Sequence, residues 1–74
     1  MYLRRLKDLR EDSDLSQESI AKILKITRSQ YSLYETGKRD IPVDLLIVLA
    51  QYYRTSIDYI VGLTNTFKKY PKAK

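Results

Sequence analysis

Two short amphipathic stretches, each opened by a hydroxyl residue and separated by about three residues, occupy Leu15–Arg39, LSQESIAKILKITRSQYSLYETGKR. In the first, the Ser16 hydroxyl can accept from the free backbone N–H of Glu18 or Ser19, and Gln17 and Glu18 begin the helix. Ile20, Ala21, Ile23 and Leu24 recur at helical spacing and give it one apolar face. In the second, Thr27 supplies the cap, Tyr31 and Tyr34 fall three apart on the inner face, and Gly37 ends the helix. Two capped helices of this size, so closely joined, make a helix-turn-helix candidate.

The flanking stretches read as support for this pair. Leu3, Leu6 and Leu9, with charges between them, predict an amphipathic first helix over Leu3–Asp12, broken at Ser13 and Asp14. A polar, basic loop runs from Gly37 to Pro42, and Pro42 suits the start of a fourth helix because its missing N–H would be unpaired there anyway. That helix, Val43–Arg54, is apolar nearly all round, which predicts a core helix with one face available to a partner. Thr55 or Ser56 caps a short fifth helix through Val61, stopped by Gly62. No alternating strand pattern is visible, so the fold class is all-α, five short helices around one core. The expected division is a folded domain over residues 1–64 and a loose basic tail over 65–74.

A chain of 74 residues is one domain, near the lower size limit for folding on its own core. With neither Cys nor His it holds no disulfide, thiol nucleophile or imidazole, and no metal or other cofactor is expected. The net charge of +5 favours a polyanionic partner. The longest uncharged runs, Leu45–Tyr53 and Tyr59–Phe67, are nine residues each, far below the ~20 that span a bilayer. The N-terminus alternates charge with leucine and shows no signal-peptide pattern, so the expected location is the cytoplasm, with the nucleoid.

The segments LKDLR (Leu6–Arg10), LSQESIAKIL (Leu15–Leu24), YETGKR (Tyr34–Arg39), IPVDLLIVLAQYY (Ile41–Tyr53) and TSIDYIVGLT (Thr55–Thr64) resemble the Cro/repressor-type helix-turn-helix proteins, also called the xenobiotic-response-element family. The resemblance covers Leu3–Thr64 without gaps and implies a lambda-repressor-like DNA-binding domain. It implies a homodimeric repressor that reads a palindromic operator in double-stranded DNA through the major groove. It differs in two places. Lys25 stands where the family often has glycine, so a left-handed turn there strains it by roughly 1 kcal/mol. Tyr31 stands where the family tends to have valine or isoleucine, and its hydroxyl needs a partner or a route to solvent.

By the same resemblance the second motif helix presents Thr27, Arg28, Ser29, Gln30, Ser32 and Leu33 to DNA. Arg28 can donate a bidentate pair to guanine, Gln30 can pair with adenine, and Leu33 can touch a thymine methyl. Gln17 can meet a phosphate at the start of the first motif helix, and Lys38 and Arg39 can do so from the loop that follows the second. The alternative for each is a solvated surface position; for Leu33 it is ordinary apolar surface. Tyr59, Val61 and Leu63 exceed what the fifth helix needs for the core and are expected, with the end of the fourth helix, at a dimer interface. Arg10 and Glu35 match an arginine and a glutamate that form a buried or half-buried ion pair in the family, and the resemblance implies the same pair here.

A competing function from another class is a protein-interaction module, such as the DNA-binding antitoxin of a toxin–antitoxin pair. No membrane or small-molecule partner is indicated. An enzyme is disfavoured, since the chain offers no His, Cys, carboxylate pair or glycine-rich phosphate loop in a plausible setting.

Overall fold

The helices follow the apolar repeats closely: α1 (Arg4–Asp12), α2 (Gln17–Leu24), α3 (Arg28–Glu35), α4 (Val43–Tyr53) and α5 (Ile57–Ile60). These come from a computed structural model that describes residues 2–67. Among the described residues there is no strand. Ser16 caps α2 by accepting from the Ser19 N–H, and Ser56, rather than Thr55, caps α5 by accepting from the Tyr59 N–H. Thr55 is instead buried. The boundaries differ from expectation by a residue at three ends. Leu3 is the N-cap of α1, Arg54 closes α4 in the left-handed conformation at φ 57°, and Val61 is the C-cap of α5.

Lys25 adopts the left-handed conformation at φ 59° and ψ 40°, as the short turn between α2 and α3 demands. Its N–H donates to the Lys22 carbonyl and that of Ile26 to the Ala21 carbonyl, so the end of α2 is satisfied despite the strain at Lys25. The core gathers Leu6 and Leu9 of α1, Ile20, Ala21 and Leu24 of α2, Tyr31 and Tyr34 of α3, Leu46, Leu49, Ala50 and Tyr53 of α4, and Ile60 of α5. α4 buries only one face; Val43, Ile47, Val48 and Tyr52 are exposed on the other. The helix is apolar beyond what the fold covers.

Gly37 follows α3 at φ +78°, and a β-carbon there would lie 2.9 Å from the Cα of Tyr2. Gly37→Ala therefore strains the turn and pushes the segment at Tyr2 away. The expected loss is on the order of 1–2 kcal/mol in a denaturant titration, and a loss under about 0.5 kcal/mol would show that both relax freely.

Thr64, Asn65 and Phe67 stay tied to the domain after α5. Arg5 of α1 donates to the Tyr59 carbonyl at 2.7 Å, the Thr64 carbonyl at 2.6 Å and Asn65 Oδ1 at 2.6 Å, with its guanidinium 4.1 Å from the centre of the Tyr59 ring. The Thr55 hydroxyl donates to the Phe67 carbonyl, and the Phe67 ring meets Tyr59 edge to face. Residues expected to begin a loose tail are thus held as far as Phe67. Lys68, Lys69, Lys72 and Lys74 lie outside the described residues.

Candidate nucleic-acid interface

α3 is held by its inner face and presents its outer one. Tyr31, Tyr34 and Glu35 are buried, whereas Arg28 and Ser29 are exposed and Ser32 and Leu33, one turn further on, are half-buried. The 3.6-residue period places these four together, since 28 lies beside 32 and 29 beside 33. Thr27 caps the helix by accepting from the Gln30 N–H, and the Gln30 side-chain oxygen accepts from the Thr27 N–H at 3.0 Å. The reciprocal arrangement occupies the Gln30 oxygen and leaves its NH₂ free to donate. A bidentate pairing of Gln30 with adenine would require this side chain to let go of the cap.

Lys38 and Arg39 are both exposed in the loop between α3 and α4. The Arg39 N–H donates to the Leu33 carbonyl at 3.1 Å, so the loop is folded against the end of α3 and its charges stay close to the outer face.

The orientation of α3 is set by Glu35 at its C-terminal end. Arg10 Nε donates to Glu35 Oε2 at 2.9 Å and Arg10 Nη2 donates to Oε1 at 3.0 Å, a bidentate pair with side-chain exposures of 13% and 5%. Arg10 Nη1 donates to the Leu15 carbonyl at 2.8 Å, and the Gln17 amide donates to Glu35 Oε1 at 3.3 Å. One carboxylate thereby ties α1, the start of α2 and the end of α3. Gln17 is half-buried and turned toward Glu35, so a phosphate contact from it must share the amide or come from the α2 backbone N–H groups.

The charges in this cluster adjust to one another. Burial pushes the Glu35 carboxyl upward, but the hydrogen bonds from Arg10, the nearby Tyr31 hydroxyl and the hydrogen bond from Gln17 outweigh it, and the group ends below the usual carboxylate range. Its bonds to Glu35 hold the Arg10 guanidinium above its ordinary value against the opposing effect of burial. Tyr31 is fully buried; burial first, and the nearby Glu35 carboxylate second, raise its hydroxyl strongly. That hydroxyl finds no hydrogen bond of regular geometry, yet it lies close enough to Glu35 to act on the carboxylate. The Tyr53 hydroxyl is also buried without a partner, and burial is the main reason it is pushed up to about 12. Tyr53→Phe should leave stability unchanged or raise it by up to about 1 kcal/mol, since an unsatisfied buried hydroxyl is removed. A clear loss on thermal melting would show that the hydroxyl has a partner.

The residues expected at an interface are split by the fold. Leu63 is 78% exposed, whereas Tyr59 and Val61 are half-buried and packed against the core, with Arg5 and Phe67 on the Tyr59 ring. Sequence reasoning missed the Arg5 cluster, whose partners lie 54 to 60 positions away and leave no local pattern.

The family described as helix-turn-helix matches residues 6–60. The chain is 42% identical over 65 residues to YobD of Bacillus subtilis (strain 168), an uncharacterized HTH-type transcriptional regulator, covering 88% of this chain and 58% of that protein. It is 35% identical over 66 residues to the HTH-type transcriptional regulator ImmR of the same organism, covering 89% of this chain and 52% of that one. It is 34% identical over 62 residues to the antitoxin PezA of Streptococcus pneumoniae serotype 4, covering 84% and 39% respectively. The chain spans about half the length of these curated relatives. No solved structure is significantly similar to it.

Proposed function

The chain belongs to the Cro/repressor-type helix-turn-helix family, and on that premise we propose that it binds double-stranded DNA sequence-specifically and represses transcription, as a homodimer on a palindromic operator. The observation that carries the proposal is the outer face of α3: Arg28, Ser29, Ser32 and Leu33 lie together on the side turned away from the core. A helix in the major groove needs such a face, with a guanine-reading arginine near its N-terminus. Thr27 and Gln30 open the same helix, Gln17 stands at the start of α2, and the loop holds Lys38 and Arg39 for phosphates on either side. Selection of bound sequences from random DNA by the purified protein tests it. A palindromic consensus is expected, and recovery of no consensus would overturn sequence-specific reading.

One α3 reads only a few base pairs, which supports two copies with half-sites one helical turn, roughly 34 Å, apart. We place the interface at Leu63 with Val61, Tyr59 and the end of α4, where Leu63 and Tyr52 offer exposed apolar surface. A 1:1 complex with a single half-site at every concentration would refute the dimer. The likeness to PezA supports a second reading, the DNA-binding part of a toxin–antitoxin pair, which would show as solubility that depends on a protein partner.

A further inference from the structure

The fold makes no use of the outer face of α4. The 3.6-residue period brings Asp44, Ile47, Val48 and Gln51 together along its middle, all of them exposed. Val43 and Tyr52 form the margins, Tyr52 on the side nearest α1. Two adjacent β-branched apolar residues facing solvent gain nothing from helix preference, because branching at Cβ lowers it slightly. Arg54, also exposed, closes the helix at the opposite end of the face from Asp44. Among the described residues, the side chains of Asp44 and Arg54 make no hydrogen bond or ion pair within their own chain. The face is therefore an apolar centre with one free negative charge at its start and one free positive charge at its end.

Such a pattern is complementary to itself when reversed. Asp44 and Arg54 share a midpoint with Ile47 and Gln51, so two α4 helices running antiparallel about a two-fold axis set Asp44 of each against Arg54 of the other. Ile47 of each then meets Gln51 of the other, with Val48 beside the axis. Parallel pairing would put like charges together. DNA is a poor occupant, since the centre is apolar and the charge within it, Asp44, is negative. We infer that this face is a second contact between copies of this chain, separate from the one centred on Leu63, made by antiparallel α4 helices joined through Asp44 and Arg54. It goes beyond the operator-binding reading and needs no DNA. α4 has 11 residues, about 16 Å of helix, so the contact covers much less than the roughly 800 Å² per partner of a stable dimer and is weak in dilute solution. The apolar centre supplies the attraction and the charges fix the direction. A chain with two different two-fold contacts does not stop at pairs, so dimers formed at Leu63 join into tetramers or longer assemblies.

The test uses the full chain carrying Leu63→Glu, which disables the first contact at a position the fold leaves exposed. Sedimentation equilibrium without DNA, up to about 1 mM protein, should show a reversible monomer–dimer equilibrium. Asp44→Arg or Arg54→Asp, added singly, should weaken it about tenfold, because each turns two attractive pairs into repulsive ones. The two together should restore it, and Val48→Glu should abolish it. Circular dichroism checks that each variant is folded. The natural chain lacks cysteine, so thiol cross-linking reads the direction of packing. Copies bearing Val48→Cys lie beside the axis, whereas copies of Asp44→Cys are set about 15 Å apart along it, so Val48→Cys should cross-link about tenfold faster or more. A chain that stays monomeric throughout would overturn the inference and leave the face to a partner of different sequence. Single charge variants that associate as well as the parent, a double variant that does not recover, or faster cross-linking at Asp44→Cys would overturn it too. None of these measurements involves DNA, so the operator-binding reading stands or falls separately, on the selection experiment.

Discussion

Glu35→Ala is expected to cost about 3–5 kcal/mol, because it strands the Arg10 guanidinium, 13% exposed, with only the Leu15 carbonyl for a partner. Arg10→Ala should cost a similar amount, since the Glu35 carboxylate would keep only Gln17 and the Tyr31 hydroxyl. Domains have about 5–15 kcal/mol in total, and one this small sits low in that range, so either variant should be substantially unfolded at physiological temperature. The combined Arg10→Met, Glu35→Leu replacement should recover much of the loss, because an apolar pair removes both desolvated charges at once. A residual deficit is expected from Leu15 and Gln17, which lose a donor and an acceptor but are only half-buried. Thermal melts of the three variants decide the matter, and single variants within about 0.5 kcal/mol of the natural chain would show the pair to be energetically idle.

The same carboxylate sets an acid limit. Its pKa is lower folded than unfolded, so its contribution is complete above the unfolded value of about 4.3 and is lost as pH falls through the lower folded value. Natural protein should lose stability progressively below about pH 5, and Glu35→Gln should flatten that part of the profile. A profile unchanged by Glu35→Gln would assign the acid sensitivity to other carboxylates.

Arg28→Ala should weaken binding to the preferred operator by roughly 1–3 kcal/mol and relax the requirement at one base position, most simply a guanine. Lys38→Ala should weaken preferred and random sequences equally and reduce the salt slope by about one. The contrast follows from position. Arg28 is exposed at the first residue of α3, while Lys38 lies beyond its end in the loop. Equal, sequence-blind losses from both variants would move Arg28 to the phosphate backbone.

Much of this molecule follows from local rules. Ser16 and Thr27 announce α2 and α3 because a hydroxyl before an apolar repeat can satisfy the free N–H groups of the first turn, and both do so. The apolar spacing of Leu6 and Leu9, or of Ile20, Ala21 and Leu24, names a buried face without reference to any other helix. Gly37 and Gly62 stop their helices because only glycine enters the left-handed region without strain, and both sit there. Lys25 enters it too, and there the short connection between two packed helices overrides the side chain's preference.

What the sequence determined by itself was therefore the set of helices and the inner faces of α1, α2 and α3, since each depends on neighbours three or four positions away. Tertiary structure alone decided the rest. It turned Gln17 toward Glu35, folded the Gln30 oxygen back onto Thr27, left Val43, Ile47, Val48 and Tyr52 uncovered on α4, and covered Tyr59 with Arg5 and Phe67. A long polar side chain reaches several partners within its few rotatable bonds, and the partner it takes depends on which helix the packing of the core brings within about 3 Å.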